Sequence, residues 1–150
     1  MSDESGEDRP DSGFEIIDHT ADIGIRVRAA DWHGLLKTAA RGMLACIGEL
    51  RCSDGAEQER ISVRLEAGSR ADLLRDWLAE ILYYIDRRRW TIVAIPELHA
   101  DERRLDAVVT FAEYDPASSV LRCELKAVTY HGLRVDESLD GLSCTVIFDV

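Results

Sequence analysis

Seven large apolar side chains, Leu73, Leu74, Trp77, Leu78, Ile81, Leu82 and Ile85, recur at the spacing that lines one side of an α-helix. A stripe this wide cannot face water, so the chain must supply a layer to cover it. Ser69, with Asp72 three residues on, makes an acid-type capping box that opens the helix. The helix is expected to reach Arg88. There Arg87, Arg88 and Arg89 complement the negative end of its dipole and need no nucleic acid to account for them. A second amphipathic helix begins after Asp31, a suitable N-cap. It carries Trp32, Leu35, Leu36, Ala39, Met43, Leu44 and Ile47 on one side and ends near Gly48.

The covering layer is legible as alternation. Residues 14–17 form a short strand, and Ile23, Ile25, Val27 and Ala29 alternate with Gly24, Arg26 and Arg28 in the next. "RISVRLEA" (60–67) alternates again. "WTIVAIPELHA" (90–100) is a strand that Pro96 assigns to an edge or a bulge. After a turn at 101–104, "LDAVVTFAEYD" returns, and "SVLRCELKAVT" (119–129) is expected to continue the sheet. "LRVDES" and "LSCTVIFDV" flank Asp140-Gly141, a hairpin signal. The expected class is α+β: two amphipathic helices packed on a largely antiparallel, mixed β-sheet. The order of the strands does not follow from the pattern.

Residues 1–13, "MSDESGEDRPDSG", have almost nothing to bury and are expected to be a disordered acidic tail, leaving 14–150 as one domain. The chain has 29 Asp and Glu against 18 Lys and Arg, a formal net charge of −11. That balance repels phosphate backbones, so no stable nucleic-acid binding is expected; a protein partner, a cation or both suit it better. Cys46, Cys52, Cys123 and Cys144 make no C-x-x-C pair, which argues against zinc and a disulfide framework and fits a reducing compartment. No long apolar run or signal peptide is visible, and the expected location is the cytoplasm, without membrane attachment.

Two polar stretches interrupt this apolar pattern. "DHTAD" places Asp18, His19 and Asp22 between the first two strands. Aspartates in turns commonly bond nearby backbone N–H groups, but a turn also lets two carboxylates address one point. The sequence ends "TVIFDV", a strand that runs into Asp149 and the free carboxylate of Val150. If the first and last strands are neighbours, Asp22 joins Asp149 and Val150. Three carboxylate donors suit Ca²⁺ or Mg²⁺, not zinc. In "KAVTYHGLRV", Lys126, Thr129, Tyr130 and His131 gather before Gly132, as a recognition surface, an acid–base group or an ordinary strand end. His33 and His99 have bland settings on a helix and a strand. No phosphate-binding loop, dinucleotide fingerprint or nucleophile elbow is present, and no catalytic residue is assigned.

"IIDHTADIGIRV", "KAVTYHGLRV" and the ending "VIFDV" together resemble the archease family, and "ADWHGLLKTAARGMLACI" and "ADLLRDWLAEILYYID" look like that family's two helices. The resemblance covers 14–150. It implies a small α+β protein with no reaction of its own that activates the RtcB-type RNA ligase of tRNA splicing and RNA repair. That ligase joins a 2′,3′-cyclic phosphate or 3′-phosphate end to a 5′-hydroxyl through a histidine-linked GMP, and its helper promotes guanylylation and multiple turnover. A second implied role is that of a chaperone for an RNA-modifying methyltransferase. The resemblance also implies a divalent metal, calcium foremost with magnesium or manganese as alternatives, held by Asp22, Asp149 and Val150. Asp18, His19, Lys126, Tyr130 and His131 would then orient the ligands or touch the partner. The competing class, a metal-assisted hydrolase built on Asp22, Asp149, His19 and His131, lacks a legible nucleophile or base.

Overall fold

Two runs of alternating residues from opposite ends of the chain form the central ladder of the molecule. A computed structural model describes residues 13–18 and 22–150. Of the expected acidic tail only Gly13 falls within the described residues, where it opens the first strand. The strands are β1 (Gly13–Asp18), β2 (Asp22–Ala29), β3 (Gly48–Glu49), β4 (Gln58–Glu66), β5 (Trp90–Ala100), β6 (Arg104–Glu113), β7 (Val120–Leu121), β8 (Ala127–Val128), β9 (Val135–Ser138) and β10 (Gly141–Asp149); the helices are α1 (Trp32–Ile47) and α2 (Arg70–Arg88). Every pairing among them is antiparallel. The expected α+β class holds, but the strands divide. One sheet runs β1-β2-β10, with β8 and β9 sharing the far edge of β10; another runs β4-β6-β5; and β3 pairs with β7 alone.

The helices lie where the apolar stripes require. α1 rests on β1, β2 and β10, and α2 on β4, β5, β6 and β8. Ile25, Val27, Val146 and Phe148 from the first sheet, and Leu105, Val109 and Phe111 from the second, are buried against Leu35, Leu36, Met43, Leu74, Trp77 and Ile81. The Trp77 indole cannot enter such a core without a partner, and its N–H donates to the Leu36 carbonyl at 3.0 Å, tying α2 to α1. Both N-caps form as their sequences specify: Gly34 N donates to Asp31 Oδ1 at 2.8 Å, and Asp72 N to Ser69 Oγ at 3.1 Å. α2 ends on Arg89 in the left-handed conformation (φ 56°), with its N–H bonded to Ile85. β5 is an edge strand whose register shifts twice, between Ile92 and Ala94 and between Ala94 and Glu97, the second shift enclosing Pro96.

Two local expectations are corrected. Residues 119–129 are not one strand: only β7 and β8 pair, and the chain between them crosses the end of α1, where Arg122 N and Cys123 N both donate to the Ile47 carbonyl at 2.8 and 3.3 Å. Tertiary acceptors there replace the ladder that the alternation suggests. The hairpin turn also lies one residue earlier than Asp140-Gly141. Ser138 pairs with Gly141, so Leu139 and Asp140 form the two-residue loop. Gly141 (φ +134°) starts β10 so close to β2 that a Cβ would lie 2.3 Å from the Ala29 carbonyl oxygen.

All four cysteines are free thiols. Burial pushes the Cys46 thiol up to about 11 and the Cys144 thiol up to about 12, with nearby Cys123 and Asp136 adding smaller upward effects. In the native protein a thiol reagent at pH 8 is expected to modify exposed Cys52 first and half-buried Cys123 more slowly. Cys46 and Cys144 should react only after urea unfolding, as followed by mass spectrometry of the labelled peptides. Rapid labelling of Cys144 in the folded state would contradict the placement of β10.

Candidate functional site

The β2–β10 register sets Asp149 directly opposite Asp22 at one end of the ladder. Directly opposed residues of an antiparallel pair project from the same face of the sheet. Ile23, Ile25 and Val27 pair with Phe148, Val146 and Cys144 on the helix side. Asp22 and Asp149 therefore share the outer face, away from the helices. Asp22 is half-buried and Asp149 exposed, and Val150 follows at once. Beside the acids the two strands fit closely. At Gly24 a Cβ would meet Val146 O at 2.7 Å and Ile147 Cδ1 at 2.8 Å. A side chain at position 24 would push β10 away from β2 just where the carboxylates face each other.

The other face-to-face assignments follow from the same parity. Asp18 pairs with Ile23, on the face opposite to Asp22, so the two aspartates of "DHTAD" do not address one point. His19 lies outside the described residues. Lys126 reaches the site through its backbone, donating N–H to the Asp149 carbonyl at 2.8 Å, and Thr129 N donates to Ile147 O at 3.0 Å. These bonds hold the 126–129 segment along the end of β10. The Lys126 side chain lines a trough against α2 and makes no ion pair with Asp149. His131 is exposed, its N–H bonded to Thr129 Oγ1 at 3.2 Å in the turn that follows. Tyr130 is 56% exposed and lies on the Arg75 guanidinium, 4.9 Å from ring centroid to Cζ.

Sequence reasoning passed over Arg75. It sits in α2, donates from Nε to the Val128 carbonyl at 3.2 Å, and pairs with Asp76 at 3.3 Å while supporting Tyr130. It thus fixes both β8 and the Tyr130 turn to the helix. The one available signal, an arginine on a helix face next to the apolar stripe, does not reveal a partner 53 positions away.

The donors gathered at the end of β10 are oxygens: two carboxylates and the main-chain oxygen of Val150. This hard set fits Ca²⁺, Mg²⁺ or Mn²⁺ and not a soft or thiolate-seeking ion. Among the described residues no group of three or more His, Cys, Asp or Glu side chains converges as a metal site, so the protein's own donors would fill only part of a calcium shell of six to eight. Without an ion, opposed like charges cost the ladder stability.

A small antiparallel α+β protein with a cross-strand carboxylate pair at the end of its last strand is the class that this architecture defines. The model of the archease protein family (MTH1598/TM1083) matches residues 14–150. A protein archease from Methanopyrus kandleri is 35% identical over 132 residues, covering 85% of this chain and 91% of that protein. One from Methanosarcina acetivorans is 28% identical over 141 residues, covering 91% and 95%. The solution structure of Methanobacterium thermoautotrophicum protein 1598 superposes with a TM-score of 0.67 at 26% identity, covering 92% of this chain and 99% of that one. A crystal structure from Thermotoga maritima, described as an archease, possible chaperone, has a TM-score of 0.64 at 24% identity and shares the fold. The chain belongs to the archease family. No helix of the described residues is long and apolar enough to cross a membrane.

Replacing one member of the pair should relieve its repulsion. In chelator and low salt, Asp149→Asn is expected to stabilise the protein by about 0.2–1 kcal/mol, and the gain should shrink in high salt. Urea denaturation measures it; a destabilised variant would show that the two carboxylates do not oppose each other.

Proposed function

We propose that this protein is a metal-binding accessory factor that activates an RtcB-type RNA ligase in tRNA splicing and RNA repair, promoting guanylylation of the ligase and multiple turnover. The observation that supports this most is the register pairing of Asp22 with Asp149 beside Val150, the residues that the family resemblance assigns to a divalent ion. Calcium fits the donors, as do magnesium and manganese. When bound, the ion supplies positive charge to which phosphate oxygens and carboxylates can coordinate. The chain itself supplies the rest. β2 and β10 hold the two acids on the face away from the helices, the close approach of Ile147 to Gly24 keeps the two strands together beside them, and the Lys126 and Thr129 N–H groups fix the strand that carries them. The net charge of −11 favours encounter with an electropositive ligase active site built for GTP and RNA, and disfavours direct binding of RNA by this protein. An activator that serves many ligase molecules must also leave, so its contacts need not be tight.

Adding the protein substoichiometrically to the cognate ligase should take ligation from a single turnover to many. Asp22→Ala should abolish that gain while keeping a native circular-dichroism spectrum, because Asp22 lies outside the core. Calcium should raise the Tm of the wild-type chain and leave that of Asp22→Ala unmoved. Full activation by the variant would remove the metal site from the function.

A second reading, a chaperone for an RNA-modifying methyltransferase or other clients, draws on the exposed Tyr83, Leu121 and Tyr130 and on the description of the Thermotoga maritima relative. It predicts that the protein suppresses light scattering by an unrelated unfolding client, equally well with Asp22→Ala. Suppression confined to the ligase or absent altogether would dismiss it.

A further inference from the structure

We infer that a trough between α2 and residues 121–128 is the docking site for an extended segment of a partner protein, one that carries a lysine or arginine between apolar side chains. The inference deepens the reading above and rests on it for the identity of the partner.

Two cavities, of 430 and 350 Å³, lie end to end along α2 and share Leu82, Asp86, Glu124 and Leu125. They form one continuous trough. It runs from Arg89 to Arg75, about 21 Å at the rise of an α-helix and the length of about six extended residues. The floor is apolar, with Ile47, Leu82, Ile85 and Leu125 nearly buried at its base. The rim is rich in exposed aromatic and apolar groups. Leu121 is 54% and Tyr83 52% exposed, and Tyr83 stands under the Arg87 guanidinium as Tyr130 does under Arg75. Tyrosine with arginine is the composition enriched where proteins meet.

Charge specifies the occupant. Asp86 projects from α2 and Glu124 from the opposite wall, and both line both cavities. Neither carboxylate is in an ion pair among the described residues. The waist of the trough therefore presents two acids outside any ion pair above an apolar floor, while the lining cations Arg75 and Arg122 are engaged by Asp76 and Glu49. Arg89 at one mouth and Lys126 near the other are cationic, so a guest's positive side chain is favoured at the centre and disfavoured at the ends. At its Lys126 end the trough adjoins the end of β10, because Lys126 N donates to the Asp149 carbonyl. A segment lying in it would bring its parent protein to the end of β10, whose outer face carries Asp22 and Asp149.

The test uses a seven-residue acetylated peptide with a central lysine between leucines, and the same peptide with glutamate in place of the lysine. Each is titrated into the ¹⁵N-labelled full chain. The lysine peptide should shift amides in 79–89 and 121–128, and the glutamate peptide should bind far more weakly. The double variant Asp86→Lys/Glu124→Lys, at exposed positions, should weaken lysine-peptide binding about tenfold. No binding at millimolar peptide, equal binding of both peptides, or shifts elsewhere would overturn the inference. With the ligase, the double variant should raise the half-activating concentration about tenfold and leave the plateau of turnover unchanged, as loss of docking without loss of chemistry requires. An unchanged half-activating concentration overturns the docking role. If the wild-type chain fails to activate the ligase yet binds the lysine peptide in the trough, the proposed function falls and the docking site stands.

Discussion

The antiparallel pairing of β2 with β10 is the constraint on which the rest depends. It joins a strand near the start of the described chain to the last one, and it runs unbroken from Leu142–Ala29 to Asp149–Asp22. On one face it stacks Ile25, Val27, Val146 and Phe148 under α1; on the other it aligns two carboxylates. Because side chains alternate with a period of two, a slip of one residue would expose the apolar set and bury the polar one. The hydrophobic effect that fixes the register for the core thereby also fixes the acid pair, and the site needs no dedicated scaffold.

That pair sits in tension with the fold. Opposed carboxylates weaken the strand end that bears them, and the structure offsets this with close contact and extra hydrogen bonds. Ile147 covers Gly24, Lys126 N–H holds the Asp149 carbonyl, and Arg75 secures the 126–130 segment by bonding the Val128 carbonyl and supporting Tyr130. The backbone is thus held in place from several sides, with the Asp149 side chain exposed and that of Asp22 half-buried beside it, as preorganisation for an ion or a charged partner demands.

What was legible in the sequence was local. The stripe from Leu73 to Ile85, the caps at Asp31 and Ser69, and the edge or bulge role of Pro96 all appear as read, because each depends on neighbours within a few residues. The pairing of Asp22 with Asp149 was conditional on the first and last strands being adjacent, which no periodicity states. Residues 122–126 alternate like a strand, yet Arg122 and Cys123 bond to the end of α1, and Arg75 finds Val128 across the fold; both are decided by tertiary contacts. Asp18 seemed close to Asp22 in a short turn, but strand parity sends it to the other face.

The bulges in β5 have a consequence of a different kind. The three-stranded sheet leaves two edges, β4 and β5, either of which could recruit a strand from another molecule. On β5 the double register shift around Pro96 breaks the regular row of backbone donors and acceptors, and on β4 exposed Glu59, Arg60, Arg64 and Glu66 place charge along the border. Both borders are thereby poor templates for intermolecular β-sheet. The three-stranded sheet is in this way protected from fibre-like self-association at high concentration.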